Sequence, residues 1–185
     1  MKGYMEHTEE SIYRLSSVQF NVFGVWHKIA RIITALTLLW LGVNMKSSVV
    51  VAAFCLMVGA WMIASLNQIP KHKARKLIGS ADGKLPKSSY AFEEQHIRIK
   101  STGASSTISY DQIVRLVEDD DYFYLFINRN AAYMVAKKSI EPNAKELRSF
   151  LAEHTGLQWT ANRPLWKMNV RDIISRAKSG RRKKK

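Results

Sequence analysis

The residues best suited to chemistry in this sequence are two clusters of cations. The first follows a long apolar region and comprises Lys71, Lys73, Arg75 and Lys76. The second ends the chain and comprises Arg181, Arg182, Lys183, Lys184 and Lys185. A lysine or arginine near a membrane surface is attracted to anionic lipid by roughly 1 kcal/mol. Both clusters are therefore candidate contacts for anionic lipid headgroups.

Each cluster also has another interpretation. Segment 71–87 is basic and punctuated by glycine and proline, which is typical of a flexible connector on the cytoplasmic side of a membrane protein. In the basic C-terminal tail, 157–185, Met168–Lys178 predicts a short amphipathic helix, and this favours a clamp on anionic lipid. A nucleic-acid-binding arm that neutralises phosphates and an unstructured solubilising end are the alternatives for the tail.

Other residue types give no catalytic signature. The acidic run Glu118–Asp121 presents carboxylates to alternate sides of a turn and contains no glycine, so a solvated turn is favoured over a cation site. The five histidines form no i, i+4 pair, and the lone Cys55 has no partner for a disulfide or a thiolate site. A glycine-rich phosphate loop and a G-x-S-x-G motif are also missing from the sequence. We therefore expect no catalytic residue, no metal site and no cofactor, and a protein that is not an enzyme.

Two apolar stretches, Ile32–Met45 and Val49–Leu66, dominate the first half of the chain. A helix the length of the second stretch rises roughly 27 Å, which is close to the ~30 Å hydrocarbon core of a bilayer. Because the polar break between the stretches is short, we predict a transmembrane helical hairpin over 28–70. Small residues are expected to let its two helices approach closely: Ala30, Thr34 and Gly42 on the first helix, and Ala60 and Ala64 on the second.

Basic residues flank this hairpin on one side. Lys28 and Arg31 precede its first apolar stretch and four cations follow its second, whereas Lys46 is the single cation of the turn. The positive-inside rule then places both termini in the cytoplasm and predicts a multi-pass protein of the cytoplasmic membrane. No Asp, Glu, Arg or His lies between Ile32 and Pro70, which disfavours a pore or a transporter because ion paths need intramembrane polar groups.

The N-terminal 27 residues form a cytoplasmic segment that leads into the first apolar stretch. Met1–Glu10 is polar and predicted to be frayed, and the pattern of Ser11–Leu15 leaves open whether it adds a strand to a sheet elsewhere. Ser16 or Ser17 predicts the N-cap of a helix that starts at Val18. This helix is expected to continue without a break into the membrane.

The segment 88–156 has the pattern of a small α+β domain. Alternation of apolar and polar residues, with tight turns between short runs, predicts a meandering antiparallel sheet. The predicted strands are Tyr90–Glu94, His96–Lys100, Thr107–Tyr110, Ile113–Glu118, Tyr122–Ile127 and Ala131–Ala136. After them, Asn143 predicts a helix N-cap and Gly156 its C-terminal stop, with an apolar stripe toward the sheet. The predicted fold class is an α+β membrane protein: a two-helix transmembrane hairpin and a small cytoplasmic antiparallel sheet or barrel capped by one C-terminal helix.

Four short patterns in this domain carry a family resemblance. They are F-E-x-x-x-I at Phe92–Ile97, I-S-Y-x-x-I at Ile108–Ile113, D-Y-F-Y-L at Asp121–Leu125 and the basic pair Lys137–Lys138. With the two apolar stretches before them, they resemble the YcxB-like C-terminal domain, a bacterial module usually found after two transmembrane helices. Ala136 departs from that family, which often has proline there. The resemblance implies a pleckstrin-homology-like (PH-like) sheet that bends around itself and is plugged by the C-terminal helix, in a bacterial inner membrane. It implies no activity.

Together these features favour a non-enzymatic, membrane-anchored cytoplasmic binding or adaptor module. Its expected partner is another protein, a second copy of the chain or anionic lipid. A peptide partner is expected at an exposed sheet edge or in a groove beside Leu147–Leu151. The alternative is a small channel- or holin-like membrane-active protein whose soluble domain regulates it. A membrane-tethered nucleic-acid-binding tail and an enzyme are less favoured.

Overall fold

A computed structural model of the chain describes residues 1–80, 85–101 and 103–162. Within these ranges the strands are β1 (Lys2–Glu6), β2 (Lys87–Phe92), β3 (His96–Ser101), β4 (Ala104–Ser109), β5 (Arg115–Glu118), β6 (Tyr122–Phe126), β7 (Ala132–Ala136) and β8 (Trp159–Ala161). The α-helices are α1 (Glu9–Phe23), α2 (Val25–Asn44), α3 (Val49–Ala64), α4 (Gln68–Gly79) and α5 (Ala144–Thr155). Short 3₁₀ turns join α3 to α4, β4 to β5, and β7 to the loop before α5.

The strands form two four-stranded sheets instead of the single meander that the sequence predicts. The first sheet has the order β1-β2-β3-β4 and is antiparallel throughout. The second has the order β7-β6-β5-β8, in which β8 runs parallel to β5. The chain passes between the sheets at the 3₁₀ turn Tyr110–Gln112, and β1 also pairs with the segment after β7 through Lys2 and Glu141. The α+β class is therefore confirmed, and the number of sheets is corrected.

The core of this domain lies between the inner faces of the sheets and α5. Its fully buried aliphatic side chains include Ile97, Ile99, Leu116, Leu125, Val135, Leu147 and Leu151. Burying one such side chain stabilises the fold by roughly 1.5–3 kcal/mol. Helix α5 confirms its prediction, because the Asn143 side chain accepts hydrogen bonds from two backbone N–H groups of the first turn, at 2.8 and 2.9 Å. Gly156 then ends the helix in the left-handed region, at φ 63°.

The N-terminal segment differs from its prediction at both ends. Met1–Glu10 is not frayed, because β1 pairs along its length with β2, and Met5 is buried in the core. Helix α1 begins at Glu9 and not at Val18. Its N-cap is Thr8, whose side chain accepts from the Ser11 N–H while the Ser11 hydroxyl accepts from the Thr8 N–H. The stretch Ser11–Leu15 is therefore helical and adds no strand.

The predicted unbroken entry into the hairpin is also wrong. Helix α1 ends at Phe23, and the chain bends by 77° at Gly24 before α2 begins. On the other side of the hairpin, most of the expected flexible connector is helix α4, which packs on α1 and buries Pro70 and Ala74. Helices α1 and α4 thus form a two-helix platform between the sheets and the hairpin.

Helices α2 and α3 pair as the antiparallel hairpin that the apolar stretches predict. Their close approach depends on Gly42 and Gly59, since a Cβ atom on either would lie 2.7 or 2.9 Å from Cγ of a facing leucine. Ala35 is fully buried in the same contact. The expected contact residues Ala60 and Ala64 are instead exposed. The hairpin therefore packs through a different face of α3 from the one predicted.

Candidate functional site

Away from their mutual contact, α2 and α3 expose large apolar side chains around the whole hairpin. The exposed residues are Trp26, Ile33, Leu36, Trp40, Leu41, Val43, Val49, Val50, Val51, Phe54, Leu56, Met57, Trp61 and Ile63. A contiguous apolar surface of this kind marks a contact with lipid or with another protein. It is the largest departure from an ordinary water-facing surface in the described part of the chain.

None of the described helices by itself has both the length and the hydropathy of a membrane span. Two bent helix pairs have both when taken together, by length and composition only. These pairs are α1 with α2, bent by 77°, and α3 with α4, bent by 53°.

The base of the hairpin carries a basic groove of about 550 Å³, which we call the elbow groove. It lies where α3 turns into α4. Its lining residues are Arg31, Trp61, Ser65, Gln68, Ile69, Lys71, His72, Lys73, Arg75 and Lys76. None of these residues is acidic, and the sequence has no Asp or Glu at any position from 11 to 81. The groove therefore concentrates positive charge beside an apolar wall.

Arg31 is the most constrained cation of the elbow groove. Its Nη2 donates to the Ser65 hydroxyl at 2.7 Å, and its guanidinium lies over the Trp61 ring at 5.7 Å. Nε of Arg31 is buried and, among the residues that the structure describes, has no hydrogen-bond acceptor. The guanidinium is thus held in place by its partners while one of its donors remains unused.

The four predicted cations of the first cluster divide between two environments. Each residue of a helix is rotated by about 100° from the one before it, so Lys71, Arg75 and Lys76 lie on one side of α4, within an arc of about 140°. All three are exposed and line the elbow groove. Lys73 also lines the groove, but its Nζ donates to Oε1 of Gln19 on α1 at 3.0 Å. The second predicted cluster, Arg181–Lys185, and the helix predicted over Met168–Lys178 lie outside the described residues.

Sequence reasoning missed Arg31 as part of this group. It treated the residue as a topology signal ahead of the first span, because Arg31 is far from α4 along the chain. The predicted antiparallel hairpin could have identified Arg31. A residue near the start of α2 must lie beside the end of α3, where the basic segment begins.

The acidic run forms the turn that the sequence predicts, but only Asp120 and Asp121 are solvated, whereas Glu118 and Asp119 are largely buried and paired. Carboxylate oxygens of Glu118 accept from Lys137 Nζ at 3.1 Å and Arg148 Nε at 2.9 Å. Asp119 is only 8% exposed and lies 3.0 Å from Arg14 Nε. The run therefore fastens helices to the second sheet. Within the described ranges, no group of three or more His, Cys, Asp or Glu side chains is placed to hold a metal ion.

Two further surfaces suit the peptide contacts that the sequence predicts. Strand β4 stands at the end of the first sheet's strand order, and four of its six residues are exposed. A groove of about 600 Å³ also runs along the outer side of α5, with Phe150 in its wall. The corresponding edge of β5 is already paired with β8. A partner strand would therefore find β4 more accessible than β5.

Comparison with known proteins identifies a single domain. Residues 92–152 match the family model described as YcxB-like protein. This range runs from the last residue of β2 into α5 and leaves the helical hairpin outside it. No curated protein and no solved structure matches the chain.

Proposed function

We propose that this chain, which carries a YcxB-like domain, is a membrane-anchored binding module that performs no catalysis. The hairpin is the anchor, and the two-sheet domain is the part that binds a partner. The observation that carries the proposal is the exposure of large apolar side chains around the hairpin. For example, Val49 is 84% exposed and Met57 is 67% exposed. Water disfavours such a surface, whereas the acyl chains of a bilayer do not.

The dimensions of the hairpin support this assignment. Helix α3 has 16 residues and rises about 24 Å, a few ångströms less than the ~30 Å of a typical hydrocarbon core. A short span is accommodated by local thinning of the bilayer and by flanking cations that extend toward the headgroups. Lys28 and Arg31 at one end, with the α4 cations beside them, supply such residues. The bends at Gly24 and after Ala64 would then mark the membrane surface.

The charge distribution supports an orientation with both termini in the cytoplasm of a bacterial cell. The platform end of the hairpin carries Arg31 and the α4 cations, whereas the loop between α2 and α3 carries only Lys46. The positive-inside rule assigns the more basic side to the cytoplasm. The two-sheet domain lies on that side, because α1 and α4 join it to the hairpin.

The architecture of the domain supports the PH-like assignment. Strands β1 to β4 form one sheet, β5 to β7 belong to the next, and α5 follows and is buried against the core through Leu147 and Leu151. Two sheets that follow one another in the chain, with a C-terminal helix buried against them, support the bent sheet and plugging helix that the family resemblance implies. The partner would be a protein segment docking on the edge of β4, a second copy of the chain, or anionic lipid at the platform.

Membrane insertion and orientation are tested together by cysteine labelling. In a Cys55→Ser background, Lys46→Cys in the loop and Glu153→Cys on α5 each give one exposed thiol. We expect the chain to remain in carbonate-washed membranes, with Lys46→Cys labelled by an impermeant maleimide from outside the cell. Glu153→Cys should react only after the membrane is opened. Release of the chain by carbonate, or labelling of both positions from the same side, would refute the anchored arrangement.

Partner binding is tested by comparing pull-downs of two variants in mild detergent. Leu147→Asp should unfold the domain because Leu147 is fully buried, whereas the exposed Lys145→Asp in the same helix should leave it folded. A protein captured by the wild type and by Lys145→Asp but lost with Leu147→Asp would support a binding domain. An unchanged set of captured proteins would contradict it. No observation in the described residues favours the channel- or holin-like alternative, which conductance across a reconstituted bilayer would reveal.

A further inference from the structure

The elbow groove combines three features that a phosphate ligand requires. It carries cations from two different helices, Arg31 on α2 and Lys71, Arg75 and Lys76 on α4. No acidic side chain lies among its described lining residues to neutralise them. Its volume of about 550 Å³ falls within the roughly 300–1,000 Å³ of small-molecule sites. The groove is therefore large enough and charged enough for a phosphodiester group.

Arg31 supplies the geometry that distinguishes a site from a diffuse positive surface. Ser65 accepts its Nη2 hydrogen and itself donates to the Trp61 carbonyl at 2.7 Å, so the guanidinium is positioned by the end of α3. The ring of Trp61 lies against it at 5.7 Å. A fixed guanidinium presents its donors as a planar fork that matches two phosphate oxygens. Its Nε is buried, so the phosphate would be met by the terminal Nη nitrogens of the guanidinium.

An apolar track runs from the groove along the hairpin. Trp61, Met57, Phe54 and Val50 follow one another on one side of α3 at intervals of three or four residues, and each is at least 64% exposed. They extend over roughly 16 Å of helix. Ile69, 43% exposed, continues the apolar wall on α4. A ligand with a phosphate and a long acyl chain would contact the cations and this track at once.

We propose that the elbow groove binds the headgroup of one anionic phospholipid, with Arg31 on the phosphate and an acyl chain along α3. The proposal rests on the membrane anchoring proposed above, since the track faces lipid only if the hairpin is inserted. Lys71, Arg75 and Lys76 surround the headgroup and select negative charge. The phosphate of a soluble compound or of a nucleic acid would bind these cations equally well. Neither ligand, however, has an acyl chain that would bury Trp61, Met57 and Phe54.

Native mass spectrometry of the full chain tests the site. The chain, purified in mild detergent, is offered equal amounts of phosphatidylglycerol and phosphatidylcholine with identical acyl chains. We expect one phosphatidylglycerol to be retained per chain in preference to phosphatidylcholine. Arg31→Gln should lower that preference about tenfold, because it removes a charge-assisted, two-pronged contact. Arg75→Gln, an exposed change that spares the fold, should lower it about fivefold.

The matched control is Lys46→Gln, which removes the same charge at the opposite end of the hairpin and should change nothing. Equal loss with Lys46→Gln and Arg31→Gln would reduce the effect to net charge and overturn the site. Equal retention of the two lipids by the wild type would overturn it too. Carbonate extraction separates this outcome from failure of the anchoring: a chain that stays in washed membranes but shows no lipid preference refutes the lipid site alone.

The source of the phosphate is tested by competition. Inorganic phosphate and glycerol 3-phosphate carry the ionic group without an acyl chain, so millimolar amounts should leave the bound phosphatidylglycerol in place. Met57→Asp, on the exposed apolar track, should weaken lipid retention although it leaves the cations intact. Displacement by inorganic phosphate together with no effect of Met57→Asp would identify a site for a soluble phosphate compound and refute the lipid proposal.

Discussion

Asp119 holds α1 against the second sheet, so its removal should loosen the link between the hairpin and the domain. Its Oδ1 accepts from the N–H groups of Asp121 and Tyr122, at 3.0 and 2.9 Å. Its Oδ2 accepts from the Tyr124 hydroxyl at 2.6 Å and lies 3.0 Å from Arg14 Nε. Burial and this hydrogen bond raise the pKa of Tyr124. Burial opposes the charge of Arg14, but the carboxylates of Asp121 and Asp119 outweigh it and raise the pKa of Arg14.

The cost of Asp119→Ala follows from what it leaves behind. The Tyr124 hydroxyl would remain buried without its acceptor, which costs about 1–3 kcal/mol. Removing one partner of a buried ion pair costs about 3–5 kcal/mol, but Arg14 keeps 33% of its side chain exposed and can turn to water. We therefore expect the free energy of unfolding to fall by about 3 kcal/mol. Asp121→Ala should cost at most about 1 kcal/mol, since the Asp121 carboxylate is 48% exposed.

Denaturant unfolding of the full chain in detergent, followed by tryptophan fluorescence, measures this difference. Asp121→Ala is the matched control because it removes the same chemical group from the same turn and from the same arginine. Equal losses from the two substitutions would refute the reasoning, as would a loss below about 1 kcal/mol for Asp119→Ala. A double-mutant cycle of Asp119→Ala with Arg14→Met should give a coupling energy, because the two side chains are in contact.

Three further changes test the domain, the hairpin and the N-terminus. Leu147→Asp buries a charge in the core and should unfold the domain, whereas exposed Lys145→Asp should not; far-UV circular dichroism and limited proteolysis distinguish these outcomes. Gly59→Leu should separate α2 from α3 and lower the melting temperature in detergent, since even a Cβ would lie 2.9 Å from Leu39 Cγ; Ala60→Leu on the exposed side is its control. Burial lowers the pKa of His7 from 6.5, so the unfolded chain binds the proton more tightly, and stability should fall as the pH drops below about 6.5. Replacing His7 with glutamine should make the denaturant midpoint change less between pH 7.5 and 5.5. The same change of midpoint with pH in the variant and in the wild type would show that His7 is not the cause.

Helix α5 could be predicted because all of its determinants are local. A capping side chain at Asn143, buried leucines at 147 and 151 and a left-handed Gly156 lie within a single short segment. The strands from β2 to β7 were predicted for a similar reason, since each lies in its own short run of strand-forming residues between turns. Their division into two sheets was not found, because the sequence does not show where a chain of short strands bends away from its neighbour.

Strand β1 and helix α1 were missed because their partners are distant in sequence. Only Gly3 and Met5 of β1 face the core, so the alternation is short, and the strand forms by pairing with β2 on the far side of the hairpin. The cap of α1 uses Thr8 and Ser11, where the usual signature has a glutamate or glutamine in place of the second hydroxyl. Arg31 joined the elbow groove only once the hairpin had brought the start of α2 beside the end of α3.

The position of the hairpin in the chain restricts how the domain can move relative to it. The hairpin is inserted between β1 and β2, which are neighbours in the first sheet, so both of its ends return to the same domain. Its entrance is fixed further, since Arg115 donates to the Val22 carbonyl at 3.2 Å and the Phe23 ring meets Phe126 at 5.2 Å. A single flexible tether would let the domain turn freely, whereas two attached helices set its orientation. If the hairpin is the membrane anchor, the elbow groove and the sheet domain must therefore keep fixed orientations relative to the bilayer. A ligand in the groove would then act on α1 through the hydrogen bond between Lys73 and Gln19.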